Sequence, residues 1–472
     1  MILISLLALP FVAALLSFML PKQAKTLALL SSAIAVLITL YLSMHIAEGA
    51  LDVSQAWLPD LGIQFALHAD GLSCSLSLLT ALVSFLVFLN LNNKEVSKTN
   101  SFYGLLLFAQ TGLMGVFLAS DGMLFYFFWE LALIPIYFLS SIWGGENRIK
   151  VTFKFFIYTF IGSVMMLAGL IYLGLQTPGA DAFSYHSLVA VGNSLSNTQQ
   201  ISLFVLFFLA FAIKMPIFPF HTWQPDAYDE APTSVTIFLS ALMVKMGLYA
   251  VLRWLMPVLP EGVNYWSNAV IILSIIGIIY ASIIALQQTN IKRFIAYSSI
   301  AHMGLMCAAA FVQNDLAIHG VKVQMFTHGI NIAGMWLVVS IIENRFQTKD
   351  MNALGGIATI MPKLAIAFVI IAFANIALPL TNGFVGEFML FAGIFSSTHP
   401  NHILYMVLAG LGVILGAAYT LRMLQKVVFG TASSTQEVKD ISINEWCVLG
   451  IVLSLIIALG VYAKPLLTLT SF

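Results

Sequence analysis

The chain has 472 residues, 60% hydrophobic and only 8% charged, with 20 basic and 20 acidic side chains and a formal net charge of +0. An ordinary soluble domain carries about 25% charged residues, so this composition excludes a soluble fold and makes the lipid bilayer the implied solvent. The neutral balance gives no basic field for nucleic acid. The scattered Cys74, Cys307 and Cys447, with no C-x-x-C pair, support neither an iron–sulfur cluster nor a disulfide framework.

Runs of roughly 20 apolar residues cross a bilayer, and about fourteen such runs follow one another. They fall at 2–20, 26–45, 73–92, 101–119, 121–142, 151–175, 200–222, 232–256, 265–287, 290–313, 317–343, 362–397, 403–427 and 444–463. The first lacks a basic leader and a small-residue cleavage site, so it reads as a membrane helix rather than a signal peptide. The longest pieces between spans, 46–72 and 176–199, leave no room for a soluble catalytic domain.

Charge placement orients the chain. With both termini on the outer side, the inner loops hold Lys22, Lys25, Lys94, Lys98, Arg148, Lys150, Lys154, Lys292, Arg293, Arg345, Lys349, Lys363, Arg422, Lys426 and Lys439, 15 of the 20 basic residues. Arg253 and Lys464 fall to outer loops or ends, with the acids Glu48, Asp52, Asp60 and Asp181. This is the positive-inside pattern. Lys214, Lys245 and Lys322 fall within spans, with Lys322 near a span end where its ammonium can snorkel to the surface.

Two spans are interrupted. In Phe211-Ala-Ile-Lys214-Met-Pro216-Ile-Phe-Pro219-Phe-His221, the prolines remove N–H donors and crowd the carbonyls four residues back. Five spans later, Pro379, Asn382 and Gly383 break the run that carries Glu387. Freed backbone at membrane depth survives only inside protein or beside water. A pair of broken helices in corresponding positions marks an inverted repeat. The expected architecture is an all-α polytopic membrane protein with two inverted five-helix repeats, each containing a broken helix. Residues 1–100 hold helices 1–3, 101–256 the first repeat, 257–430 the second, and 431–472 the last helix.

Ionisable side chains inside a membrane are costly and mark ion or proton paths. They are Glu130 in span five, Lys214 in span seven, Lys245 in span eight and Glu387 in span twelve, with His302 and His328 in spans ten and eleven. A Glu130–Lys214 pair would let the position of one charge set how tightly the other holds its proton. Histidine suits a relay because it titrates near neutrality. The structural alternatives are an ion pair that only packs helices, a snorkelling Lys245, and histidines that merely hydrogen-bond a neighbouring helix. His221, with Pro216 and Pro379, could gate a half-channel, or His221 could only cap the break.

These residues carry a resemblance. The segments Trp129-Glu130-Leu131 with Pro135, Lys214-Met215-Pro216 with Pro219-Phe220-His221, Lys245-Met246-Gly247, Asn290-Ile291-Lys292-Arg293, His302-Met303-Gly304, His328-Gly329 and Gly383-Phe384-Val385-Gly386-Glu387 resemble the antiporter-like subunits of respiratory complex I. A glutamate at Glu387, where some sister subunits have lysine, resembles the M type. The resemblance implies fourteen helices and one proton channel through Glu130, Lys214, Lys245, His302, His328 and Glu387. It implies a multi-pass place in the cell inner membrane, among lipids and other membrane subunits that include two sister antiporter-like chains. It also implies no cofactor or metal in this chain, with NAD(H), FMN, iron–sulfur clusters and quinone on other subunits. The large subunits of multisubunit sodium/proton antiporters and of complex I-like enzymes share the motifs. A purely structural scaffold is the further alternative, under which Lys214→Ala would leave pumping intact.

Overall fold

The computed structural model describes residues 1–92, 95–177, 181–431 and 438–471; Lys94, placed above in an inner loop, lies outside them. The chain begins with α1 (Ile2–Met19) and α2 (Ala24–His45), then the hairpin β1 (Leu51–Leu58) and β2 (Ile63–Ala69). There follow α3 (Gly71–Leu91), α4 (Thr99–Leu118), α5 (Gly122–Trp143), α6 (Arg148–Gln176), the short α7 (Tyr185–Ser194) and α8 (Asn197–Lys214). After a break come α9 (Gln224–Glu230), α10 (Thr233–Ile237), α11 (Val244–Ala250) and α12 (Met256–Val258). Next are α13 (Pro260–Gln287), α14 (Ile291–Phe311), α15 (Asp315–Phe346) and α16 (Ile357–Ile360). The chain closes with α17 (Pro362–Asn375), α18 (Asn382–Phe395), α19 (His402–Val427), α20 (Ile443–Val461) and α21 (Lys464–Ser471).

Among the described residues, 13 helical stretches are long and apolar enough to cross a membrane. The remaining expected span, 362–397, is the pair α17 and α18, 14 residues each. At 1.5 Å per residue each is about 21 Å long, too short to cross alone. The fourteen-span, helix-dominated architecture with two broken spans is therefore present.

Two local features depart from a plain helix reading. Residues 51–69, expected only as a connection, form an antiparallel hairpin with an irregularity between Ala56 and Leu58 and a turn at Gly62, φ +69°. The span Thr233–Val258 is not uniform α-helix. It passes through π-helical turns at Phe238–Met243 and Val251–Leu255, which flank α11 on both sides. Single π turns inside helices are frequent at functional sites.

Residue contacts divide the chain into two compact units. The first holds Met1–Met215, Leu242–Ala269 and Thr468–Phe472; the second holds Pro216–Ala241 and Val270–Leu467. Glu130, Lys214 and Lys245 belong to the first, and His221, His302, His328 and Glu387 to the second.

Two basic residues sit differently from their expected places. Arg253 lies in a helical turn of the span, not in an outer loop, and pairs with Asp70, the N-cap of α3. The reason is partnership: a guanidinium in a span is tolerated when a carboxylate meets it. Burial opposes ionisation of Asp70, but the Arg253 charge, the Ser73 N–H and His68 outweigh it and hold the carboxyl below its ordinary range. A depressed carboxyl stabilises the fold above the unfolded aspartate pKa and loses that contribution as pH falls through the lower folded value. Stability is expected to fall below about pH 4 in the native protein, whereas Asp70→Asn should show no such step; thermal unfolding across pH 3–6 checks both.

Lys292 is the second case. It was counted as an inner-loop cation, yet it is 4% exposed, with Nζ 3.2 Å from Glu343 Oε1 and donating to the Ala231 carbonyl at 3.2 Å. Thr233 Oγ1 donates to the other Glu343 oxygen at 2.5 Å. This knot ties the start of α14 to the end of α15 and to the segment after α9. Glu343→Ala strands a buried ammonium and should cost about 2 kcal/mol, and adding Lys292→Met should recover most of it; thermal melts of the three variants test the coupling.

Candidate functional site

In the first unit the site is built on α5, α6, α8 and α11. Asp121 caps α5, its carboxylate accepting from the N–H groups of Met123 and Leu124. Two turns further, Trp129 is buried and Glu130 half-buried. Glu130 has Ser163 of α6 within hydrogen-bonding reach and feels the Lys214 charge. Its Oε1 is buried with no hydrogen-bond partner among the described residues.

Lys214 is the last residue of α8 and 2% exposed. The helix stops there because Pro216 has no N–H to donate to Ala212. A helix C-terminus carries partial negative charge, which favours a cation in its last turn. The ammonium also lies 5.5 Å from the centre of the Trp129 ring, a contact worth about 2 kcal/mol when desolvated. Nζ has no hydrogen-bond partner among the described residues. The helix end, the Trp129 ring and the charge of Glu130 all favour its cationic form.

Lys245 is fully buried in α11, between the two π-helical turns. Two residues on, Gly247 lets α11 meet the end of α8. A Cβ there would lie 2.6 Å from the Phe211 carbonyl oxygen and 2.9 Å from the Met215 nitrogen. The glycine brings the Lys245 turn against the helix end that carries Lys214.

In the second unit, His302 of α14 and His328 of α15 face each other with ring centroids 5.3 Å apart. One turn beyond His328, Asn331 donates to the Ala374 carbonyl at 3.1 Å. The same carbonyl accepts from the Ala377 N–H at 3.2 Å, so the turn that ends α17 is braced by a side chain one helical turn from His328. The break, 376–381, holds Ala377 and Leu380 at φ +56° and +73°, a conformation that costs side-chain-bearing residues on the order of 1 kcal/mol each. Pro379 lies in this exposed turn. Glu387 sits in the second turn of α18, 6% exposed, with Oε2 buried and lacking a hydrogen-bond partner among the described residues. His302, Glu387, Ile376, Gly412, Gly416 and Tyr419 share a cavity of about 20 Å³, room for one water molecule. His221 is buried and packs on Phe218 and Tyr280, with ring centroids at 5.7 and 5.3 Å.

In the first unit the Glu130 charge acts on Lys214 at the end of α8; in the second, His302 faces His328 and shares a cavity with Glu387. Ser163, Asn331 and the Asp70–Arg253 pair were not singled out from sequence, and Trp129 figured only as part of a motif. Asn331 had a signal, since i+3 spacing from His328 puts both on one helix face. Ser163 had none, because one more serine in a membrane helix is unremarkable. Among the described residues no group of three or more metal-ligating side chains comes together.

The profile of the family described as NADH:quinone oxidoreductase/Mrp antiporter, TM, matches residues 119–416. The chain is 35% identical over 460 residues to the NADH-quinone oxidoreductase subunit M of Rhodobacter capsulatus, covering 93% of this chain and 88% of that one. With the subunit M of Escherichia coli strain K12 it shares 35% identity over 437 residues, covering 90% and 84%. Among solved structures it superimposes on a chain of respiratory complex I from Thermus thermophilus with bound NADH, with a TM-score of 0.90, 29% identity and coverage of 100% and 98%. A chain of the Mrp complex from Dietzia shares the fold at 22% identity and a TM-score of 0.85, this chain covering 52% of it.

Proposed function

Because the chain belongs to the NADH:quinone oxidoreductase/Mrp antiporter transmembrane family, we propose that it is the M-type membrane-arm subunit of a redox-driven NADH–quinone oxidoreductase and moves protons along Glu130, Lys214, Lys245, His302, His328 and Glu387. It acts as part of a proton-translocating enzyme. NADH oxidation and quinone reduction, with FMN, iron–sulfur clusters and bound quinone, belong to other subunits, and two sister antiporter-like chains flank the path in the inner membrane. Both termini lie on the outer side, consistent with the distribution of basic residues.

The observation that carries the reading is Lys214. A buried ammonium closes α8, held by an aromatic face, a helix end and the charge of Glu130. When a disturbance from a neighbouring subunit moves or neutralises the Glu130 carboxylate, Lys214 loses its counter-charge and its proton becomes easier to release. The proton passes to Lys245, which no helix-capping role explains, then to the paired histidines and on to Glu387. The arrangement of residues 101–256 and 257–430 as inverted repeats gives each half one broken helix and one buried ionisable group beside it. His221, Pro216 and Pro379 sit at the two breaks, where a small rotation would open or close access.

The test is purification of the native assembly with identification of its partners. Hydrophilic NADH-oxidising subunits and two sister chains support the reading. Recovery of small membrane subunits alone, with sodium-dependent exchange, would replace it with a secondary antiporter.

A further inference from the structure

Tyr419 of α19 has no part in the path described so far. It is 2% exposed and packs edge-on against Phe294 of α14, ring centroids 5.5 Å apart. Its hydroxyl lies 3.0 Å from Ser298 Oγ. Asn375 Nδ2 donates to the same Ser298 oxygen at 3.3 Å. Ser298 precedes His302 by four residues on α14, so the two share a face. Asn375 is the last residue of α17, at the helix break. On its other side Tyr419 lines the cavity shared with His302 and Glu387, and the Glu387 charge reaches its hydroxyl.

The donor count fixes what this chain of groups can do. Ser298 and Tyr419 have one hydroxyl proton each. With Asn375 donating to Ser298, the serine and tyrosine form one hydrogen bond in either of two directions. If Ser298 donates, the Tyr419 proton is free to point into the cavity, towards an ionised Glu387. If Tyr419 donates to Ser298, its oxygen presents lone pairs to the cavity and suits a protonated Glu387. The two orientations interconvert by rotation, with no proton gained or lost by the tyrosine. The titratable groups around this point are Glu387 on α18, His302 on α14 and, beside His302, His328 on α15.

We infer that Tyr419, held by Ser298 and Asn375, is a positioning residue whose hydroxyl flips with the charge of Glu387 and so sets the energy of proton arrival at and departure from that carboxyl. The inference rests on the proton-path reading above. Tyr419→Phe in the assembled complex keeps the ring and its packing on Phe294 and removes only the hydroxyl. NADH-driven proton uptake into membrane vesicles should slow about three- to tenfold, the loss of one hydrogen bond in the rate-governing state, and its pH profile should shift. The infrared carboxyl band that disappears in Glu387→Gln should move in Tyr419→Phe. Ser298→Ala should move the same band, and the double variant should add nothing, whereas a merely structural role would leave band and pH profile in place. An unmoved band with an unchanged pH profile in both single variants overturns the inference. If Lys214→Ala pumps normally, the path reading itself fails; if Lys214→Ala is inactive while Tyr419→Phe and Ser298→Ala match the parent, this inference alone fails.

Discussion

Lys214→Ala in the assembled complex is expected to reduce proton movement through this chain on the order of 100-fold, the usual worth of a positioned proton-transfer group. The ammonium is buried at a helix end, beside an aromatic face and within the field of the Glu130 carboxylate. Removing it leaves no titratable group on α8. The informative companion is Lys214→Arg. Arginine keeps the charge, the attraction of the helix end and the stacking on Trp129, but its guanidinium does not release its proton in a protein. A role in folding would be rescued by arginine; a role in carrying protons would not. NADH-driven acidification of reconstituted vesicles separates the cases, and full pumping by both variants would end the reading.

Gly247→Val should have the next largest effect, although it touches no charge. Its new Cβ would press on the Phe211 carbonyl and the Met215 nitrogen, both backbone atoms that cannot rotate away. The end of α8 and the Lys245 turn must then separate, at a packing cost of about 1–3 kcal/mol. A displacement of about 1 Å between reacting groups can cost on the order of 100-fold in rate. Pumping should therefore drop far more than stability does. Gly410→Ala on α19 is the control, since its Cβ would meet nothing within 4 Å, and both pumping and melting should match the parent.

The expected outcomes depend unequally on what could be read before folding. Glu130, Lys214, Lys245 and Glu387 stood out because a charge in an apolar run is rare enough to need a reason. Lys292 misled for the complementary reason: beside loop residues it looked like one more solvated cation, and only its Glu343 and Ala231 partners, 51 and 61 residues away, explain its burial. Arg253 looked like a loop residue until Asp70 appeared 183 positions earlier. The hairpin at 51–69 alternates polar and apolar residues only over 51–54 and in part of β2, and so short and broken a strand signal is overshadowed between two long helices. The π-helical turns around α11 left no mark in the sequence at all.

Composition, span length and proline placement by themselves determined that this is a membrane protein of fourteen spans with two broken helices. The bilayer demands long apolar helices, and a proline cannot supply the N–H that a helix needs. They also picked out which side chains are out of place in lipid. Only the tertiary structure decided which of these meet: His302 against His328, the Trp129 ring on Lys214, Gly247 at the end of α8, Tyr419 on Ser298 beside Glu387. Those contacts join residues distant in the chain, and no local periodicity encodes a distance of a few ångströms between helices.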